Sequence, residues 1–253
     1  MPRLIPIKLV AACALAFVLS LSLAASASAK GLTAELRVVG KGNRVLAEQP
    51  IATGAAISVK SSRRATCFGS GTGGSGKSVS VKGNTALGLL AQGSKQLAAL
   101  RPLSLTDSFS FGLGLCGVGS SVAKGKAGWY LKVDHKGALV SGDHAKIHAG
   151  DEVLWDLAPS YPYPNELWLE APPSAAAGVP FTVHVFSYDE KGKRKPVAGA
   201  TVTGAGAPTG ADGATTVALS ATTALVATHG KEIPSPAASV CVGTATTTCL
   251  STG

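Results

Sequence analysis

The chain has 253 residues, with 23 Lys and Arg against 14 Asp and Glu, giving a formal net charge of +9. That balance favours anionic surfaces or polymers. The basic residues are scattered, though, apart from one cluster at Lys191, Lys193, Arg194 and Lys195, so nucleic-acid binding gains no support. Charged residues make up only 15% of the chain and aromatics 5%, and Gly, Ala, Ser and Thr abound; this composition suits a β-rich extracellular protein of short strands.

Residues 1–29 read as a secretory signal peptide. Arg3 and Lys8 supply a basic start, Leu9 to Ala25 an apolar run, and Ala27-Ser28-Ala29 a small-x-small cleavage site. The run is shorter than the ~20 apolar residues of a membrane span. Val10-Ala11-Ala12-Cys13 has the letters of a lipoprotein box, but Lys8 lies just before it and most of the apolar run follows it. We therefore expect a cleaved leader, a secreted protein beginning near Lys30, and no stable membrane insertion.

Four cysteines then remain: Cys67, Cys116, Cys241 and Cys249. An even count in an exported chain predicts two disulfides, with three possible connectivities. Cys67–Cys116 with Cys241–Cys249 keeps each bridge within one half of the chain and is the pairing we favour. By chain-entropy arithmetic the first contributes roughly 4 kcal/mol. No CxxC is present, so a redox enzyme or zinc ribbon has no sequence basis.

In chain order, Leu32 to Val39 alternates as a strand, Gly40-Lys41-Gly42-Asn43 turns, and Arg44 to Glu48 returns. Ile57 to Lys60 is a short strand and 69–78 a Gly/Ser loop. Asn84 is placed to cap a helix whose apolar face is Ala86, Leu87, Leu90 and Ala91. Alternation resumes at Phe109–Leu115, Trp129–Val133 and Val153–Leu157. Strands, one helix, then strands predict an α+β domain over 31–158 with the helix on one sheet face. Pro159 to Pro164 holds three prolines in six residues and breaks regular structure; we take 159–166 as a linker. Beyond it the spacing has no helical period. Short strands with Gly and Pro turns, including Asp212-Gly213, predict a β-sandwich over 167–243, and 244–253 form a tail.

Several chemical patterns were weighed. Gly71 to Ser78 matches a P-loop letter for letter, but Val79 and Val81 continue as strand where a P-loop requires a helix. His144 and His148 sit four apart between two strands, where that spacing spans ~13 Å and cannot ligate one ion. No G-x-S-x-G elbow occurs. We expect no catalytic residues, metal or cofactor. The aromatics Trp129, Tyr130, Trp155, Tyr161 and Tyr163, with Trp168 nearby, gather around the second hairpin and linker. They are candidates for stacking on a flat ligand or sugar ring at the domain junction, or else for filling the core.

The segments Gly128-Trp129-Tyr130-Leu131-Lys132-Val133 and Gly150-Asp151-Glu152-Val153-Leu154-Trp155 resemble the closing hairpin of the transcobalamin C-terminal-like domain, which occurs in an uncharacterised bacterial secreted family. The resemblance covers about 31–158 and implies a β-grasp fold related to ligand-binding domains. Val133-Asp134-His135-Lys136-Gly137 departs from the family's usual Asn-Gly turn. Gly178 to Val183, Pro196 to Val202 and Thr209 to Gly213 resemble bacterial immunoglobulin-like and carboxypeptidase regulatory-like domains, which implies a spacer or adhesion module. The expectation is thus an α+β β-grasp-like domain followed by an all-β immunoglobulin-like sandwich. Such a protein would be a secreted, monomeric, non-catalytic binding or adhesion protein acting on a cell-envelope polymer or small molecule. Its alternative role would be capture of a small, corrinoid-like ligand.

Overall fold

The computed structural model describes residues 31–243. The first strands are β1 (Thr33–Gly40), β2 (Arg44–Ala52), β3 (Ala56–Lys60) and β4 (Ser78–Lys82). Helix α1 (Ala86–Gln96) follows, then β5 (Leu103–Phe109), β6 (Gly112–Val118), β7 (Ser121–Val122), β8 (Gly128–Val133), β9 (Lys136–Gly137) and β10 (Glu152–Ala158). The second half holds β11 (Glu166–Glu170), β12 (Ser174–Ala176), β13 (Phe181–Tyr188), β14 (Arg194–Pro196) and β15 (Thr201–Val202). It ends with β16 (Ala214–Val217), β17 (Thr223–Leu225), β18 (Ala227–Thr228) and β19 (Ala238–Gly243).

This corrects the expected fold class. Strands account for 46% of the described residues and helix for 7%, so their architecture is all-β with one short helix, not an α+β β-grasp. The helical signal was real but local. Past Gln96 the apolar spacing at Leu97 and Leu100 becomes a single 3₁₀ turn, and every other element among the described residues is a strand. The second half forms several small sheets: β11-β13-β14 with β16 on β13, β12-β19-β17, and β15-β18.

A five-stranded sheet in the order β2-β1-β10-β8-β9 organises the first half. Its central pair, β1 and β10, is parallel, with Leu36 opposite Val153 and Val38 opposite Trp155. Residues opposite one another share a face, so Leu36, Val38, Val153, Trp155 and Leu131 point together into the main core. Helix α1 covers them with Leu87, Leu89 and Leu90, all buried. Its N-cap is Thr85, not Asn84: the Thr85 hydroxyl accepts from Gly88 N at 3.2 Å. A second core lies within the small sheets, centred on Leu167, Val183, Val185 and Leu225. Val39, Leu154 and Ile233 join the halves in a third, small cluster.

The predicted Cys67–Cys116 bridge is formed, with Cα atoms 5.4 Å apart. The expected Cys241–Cys249 bridge ends on Cys249, which lies outside the described residues, as do Cys13 and the expected leader over 1–29. The P-loop-like segment leads into strand β4 at Ser78, so no helix N-terminus faces its glycines.

Helix α1 contains Gly88 at a close crossing. A Cβ there would lie 2.1 Å from the Lys82 carbonyl oxygen. Gly88→Ala would gain about 1 kcal/mol of helix propensity but must push backbone aside, an overpacking cost of about 1–3 kcal/mol. A lower urea midpoint than wild type is the expected outcome; a higher one would show that the crossing relaxes freely.

Candidate functional site

Strand β8 places four consecutive side chains in two environments. Trp129 and Leu131 point toward the main core, and Tyr130 and Lys132 toward the second half. Strand β9 pairs only with Lys132 and Val133. The outer edge of β8 from Gly128 to Tyr130 therefore has no strand partner among the described residues, and a cleft of about 240 Å³ opens there.

Four of the five aromatics singled out from sequence line this cleft: Trp129, Tyr130, Trp155 and Tyr163. Tyr163, delivered by the Pro-rich linker, stacks on Tyr130 with ring centroids 4.0 Å apart and planes at 15°. Tyr161 is not in the lining. It is 74% exposed and meets Tyr163 edge-on at 5.6 Å. Trp155 is a core residue whose edge reaches the cleft, and its indole Nε1 donates to Ala86 O at 3.4 Å. Trp168 lies elsewhere, against His135. Sequence reasoning missed Phe68, Phe111 and Val140, exposed apolar residues that also line the cleft, and Glu190, which reaches it from the second half. An available signal was the apolar pair Leu139-Val140 inside an otherwise polar hairpin.

Two donors in this wall lack partners. Trp129 Nε1 and Tyr130 Oη are buried without a hydrogen bond, a condition that costs about 1–3 kcal/mol per group. Burial, reinforced by Glu190 and Tyr163, pushes the Tyr130 phenol well above the usual tyrosine range, so it remains a neutral donor. At the rim Ser141, His144 and Asp143 come together. Ser141 Oγ lies 2.8 Å from His144 Nδ1, and Asp143 Oδ1 lies 3.5 Å from the same nitrogen. A nucleophile relay needs one ring nitrogen for the hydroxyl and the other for the carboxylate; here both fall on Nδ1. His148 stands apart from His144 and pairs with Asp151 at 3.4 Å. Three wider cavities of about 500, 590 and 640 Å³ contain neither tryptophan nor tyrosine.

The other side of the same sheet carries charge. Register places Arg37, Leu154, Lys132, Glu152 and Asp156 on the face turned toward the second half. Arg37, Lys132 and Asp156 are all buried. Arg37 Nε donates to Glu48 at 3.0 Å, and its Nη2 donates to the Pro234 carbonyl. Lys132 Nζ donates to the Tyr188 and Asp189 carbonyls at 3.1 and 3.3 Å and lies 3.6 Å from Glu166 Oε2. His135 Nδ1 is 3.2 Å from Glu166 Oε2, and its Nε2 is 3.9 Å from Glu152 Oε2. Burial lifts Asp156 to about 7, against the pull of Arg37 and Lys132. Burial and the Glu166 charge lift Glu152 to about 7. For Glu166, burial acts upward, but the His135 hydrogen bond and the His135 and Lys132 charges outweigh it and hold the carboxyl below its usual range.

No family model, curated protein or solved structure matches the chain. The transcobalamin-like and immunoglobulin-like resemblances therefore rest on the quoted sequence motifs alone.

Two outcomes follow from this geometry. Tyr130→Phe removes an unpaired buried hydroxyl, so the ligand-free variant is expected to unfold at the wild-type midpoint or above it; a clear drop would reveal a partner for the hydroxyl. Asp156 has a folded pKa above its unfolded one, so its contribution is fully present below about pH 4 and is lost as pH rises through about 7. Asp156→Asn is therefore expected to gain stability relative to wild type between pH 5 and 8 in urea titrations. A pH-independent difference would contradict the burial argument.

Proposed function

We propose that this is an exported, non-catalytic binding protein that takes one ring of its ligand into the aromatic cleft beside β8. The observation that carries this reading is the pair of buried, unpartnered donors, Trp129 Nε1 and Tyr130 Oη, set in an aromatic wall. An acceptor-bearing ring would supply both missing hydrogen bonds while stacking on the aromatic faces. Glu190 supplies an acceptor for a ligand hydroxyl. The size favours one ring of a sugar or comparable group over a corrin, since pockets for whole drug-sized ligands run to about 300–1,000 Å³.

The setting supports the same reading. No helix among the described residues is long and apolar enough to cross a membrane, and the Cys67–Cys116 bridge fits an oxidising compartment. We read residues 1–29 as the leader, 31–158 and 167–243 as two units, and the Pro/Tyr segment between them as the linker that brings Tyr163 to the cleft. Once Arg3 and Lys8 leave with the leader, a charge of about +7 remains and favours anionic envelope polymers. A second reading, adhesion to a protein partner, draws on the exposed apolar rim of Phe68, Phe111, Leu139 and Val140.

Purified mature protein titrated with cell-wall glycan fragments, simple sugars and corrinoids tests this, with tryptophan fluorescence as the readout. The expected result is saturable quenching by a glycan or sugar, weakened at least tenfold by Tyr163→Ala. Equal binding by wild type and Tyr163→Ala would remove the cleft from the reading. Saturable corrinoid binding alone would replace the ring-in-cleft proposal with capture elsewhere on the molecule.

A further inference from the structure

The junction between the halves carries a second set of convergent side chains, separate from the cleft proposed above. His135, Glu152 and Glu166 each offer a ligand atom, and the three atoms lie within 4.8 Å of one another. We propose that these residues form a site for a divalent transition-metal ion of the zinc type, which ties the β8–β9 turn and β10 to β11 of the second half.

Four observations support this. The first is unmet valence: Glu166 is 1% exposed, yet its Oε1 has no partner, and Glu152 Oε1 is likewise buried and unpartnered. A buried carboxylate oxygen without a donor is costly, and a cation would satisfy both. The second is backbone conformation. Asp134 and His135 adopt φ values of 48° and 66°, the left-handed region where glycine would sit without penalty. A two-residue hairpin turn of type I′ between paired strands demands positive φ at both positions, so the turn itself holds His135 at the junction beside the two carboxylates.

The third is ring fixation. His135 stacks face to face on Tyr188, with centroids 3.9 Å apart and planes at 4°, and meets the Trp168 edge at 5.1 Å. These contacts fix the ring with Nδ1 at Glu166 and Nε2 on the side of Glu152, and one of the two nitrogens would take the ion. The fourth is charge. Glu152, Asp156 and Glu166 share this face with two cations, Lys132 and Arg37, and Arg37 is bonded to Glu48 and the Pro234 carbonyl. Lys132 lies 3.6 Å from Glu166 and opposes a further cation, but two backbone carbonyls hold its ammonium in place.

One nitrogen and two carboxylate oxygens suit zinc, with a further position left for water. Ligand atoms around tetrahedral zinc sit roughly 3.3 Å apart. The His135–Glu166 distance of 3.2 Å already meets that, so Glu152 must close on the other two. His144 and His148, whose spacing drew attention in the sequence, take no part.

Chelator-treated mature protein titrated with zinc chloride by calorimetry, with thermal unfolding in parallel, tests the site. One zinc per chain at micromolar metal and a higher unfolding midpoint are expected. His135→Gln should weaken binding at least tenfold, whereas the His144→Ala/His148→Ala double variant should bind like wild type. Glu152→Gln, at a more exposed ligand, serves as a second test if His135→Gln fails to fold by circular dichroism. Absence of saturable uptake by wild type, or uptake undiminished in the folded variants, overturns the proposal; the cluster would then be a proton-sharing carboxylate pair bridged by imidazole. Glycan binding in the cleft does not depend on this outcome, so the two proposals fail separately.

Discussion

The buried charge on the second face of the five-stranded sheet is the constraint on which the rest of the molecule depends. Lys132 and Glu166, both 1% exposed, meet across the junction at 3.6 Å. Removing either would strand the other in a low-dielectric interior, at a cost of about 3–5 kcal/mol. The second half supplies the remaining partners for this face: the Tyr188 and Asp189 carbonyls for Lys132, and the Pro234 carbonyl for Arg37. The apolar contribution at the same boundary is small, limited to Val39, Leu154 and Ile233. Polar complementarity therefore sets the register between the halves. It also fixes the place of the linker, and with it Tyr163 against Tyr130.

Much of the first sheet was legible in the sequence. Alternation in β1, β8 and β10 placed Leu36, Val38, Leu131, Val153 and Trp155 on one face, and the structure puts them in the core. The same alternation assigned Arg37, Lys132 and Asp156 to the opposite face but gave no information on what covers it. A period of two separates two faces without saying whether the polar one meets water or another part of the chain. That is why the buried cluster went unseen, and why His135 read as an ordinary turn residue. The fold class was misjudged for a related reason. One short helix packed on a sheet was taken as the mark of an α+β domain, although every other segment of that half alternated as strand and α1 amounts to 11 residues.

The aromatic cleft shows a different boundary of legibility. Clustering along the chain picked out Trp129, Tyr130, Trp155, Tyr161 and Tyr163, and all but Tyr161 line one cavity. The chain could not show that Trp129 Nε1 and Tyr130 Oη would be enclosed without acceptors, because that depends on Glu190 and the linker folding over β8. Nor could it show that Phe68, tethered beside the Cys67–Cys116 bridge, would reach the same cavity. The chemistry of the site lies in tertiary neighbours, with the ring count alone written in the sequence.

The parallel pairing of β1 with β10 bears on the order of events during folding. Leu36 and Val153 are neighbours at the centre of the sheet, yet almost the whole first half of the chain lies between them. Closing so long a loop delays the core until β10 is available, and topologies of this kind fold slowly. The centre of the sheet is therefore completed only after β10 has emerged from synthesis. Placing the first and last strands of the half side by side makes the core a late, non-local event in folding.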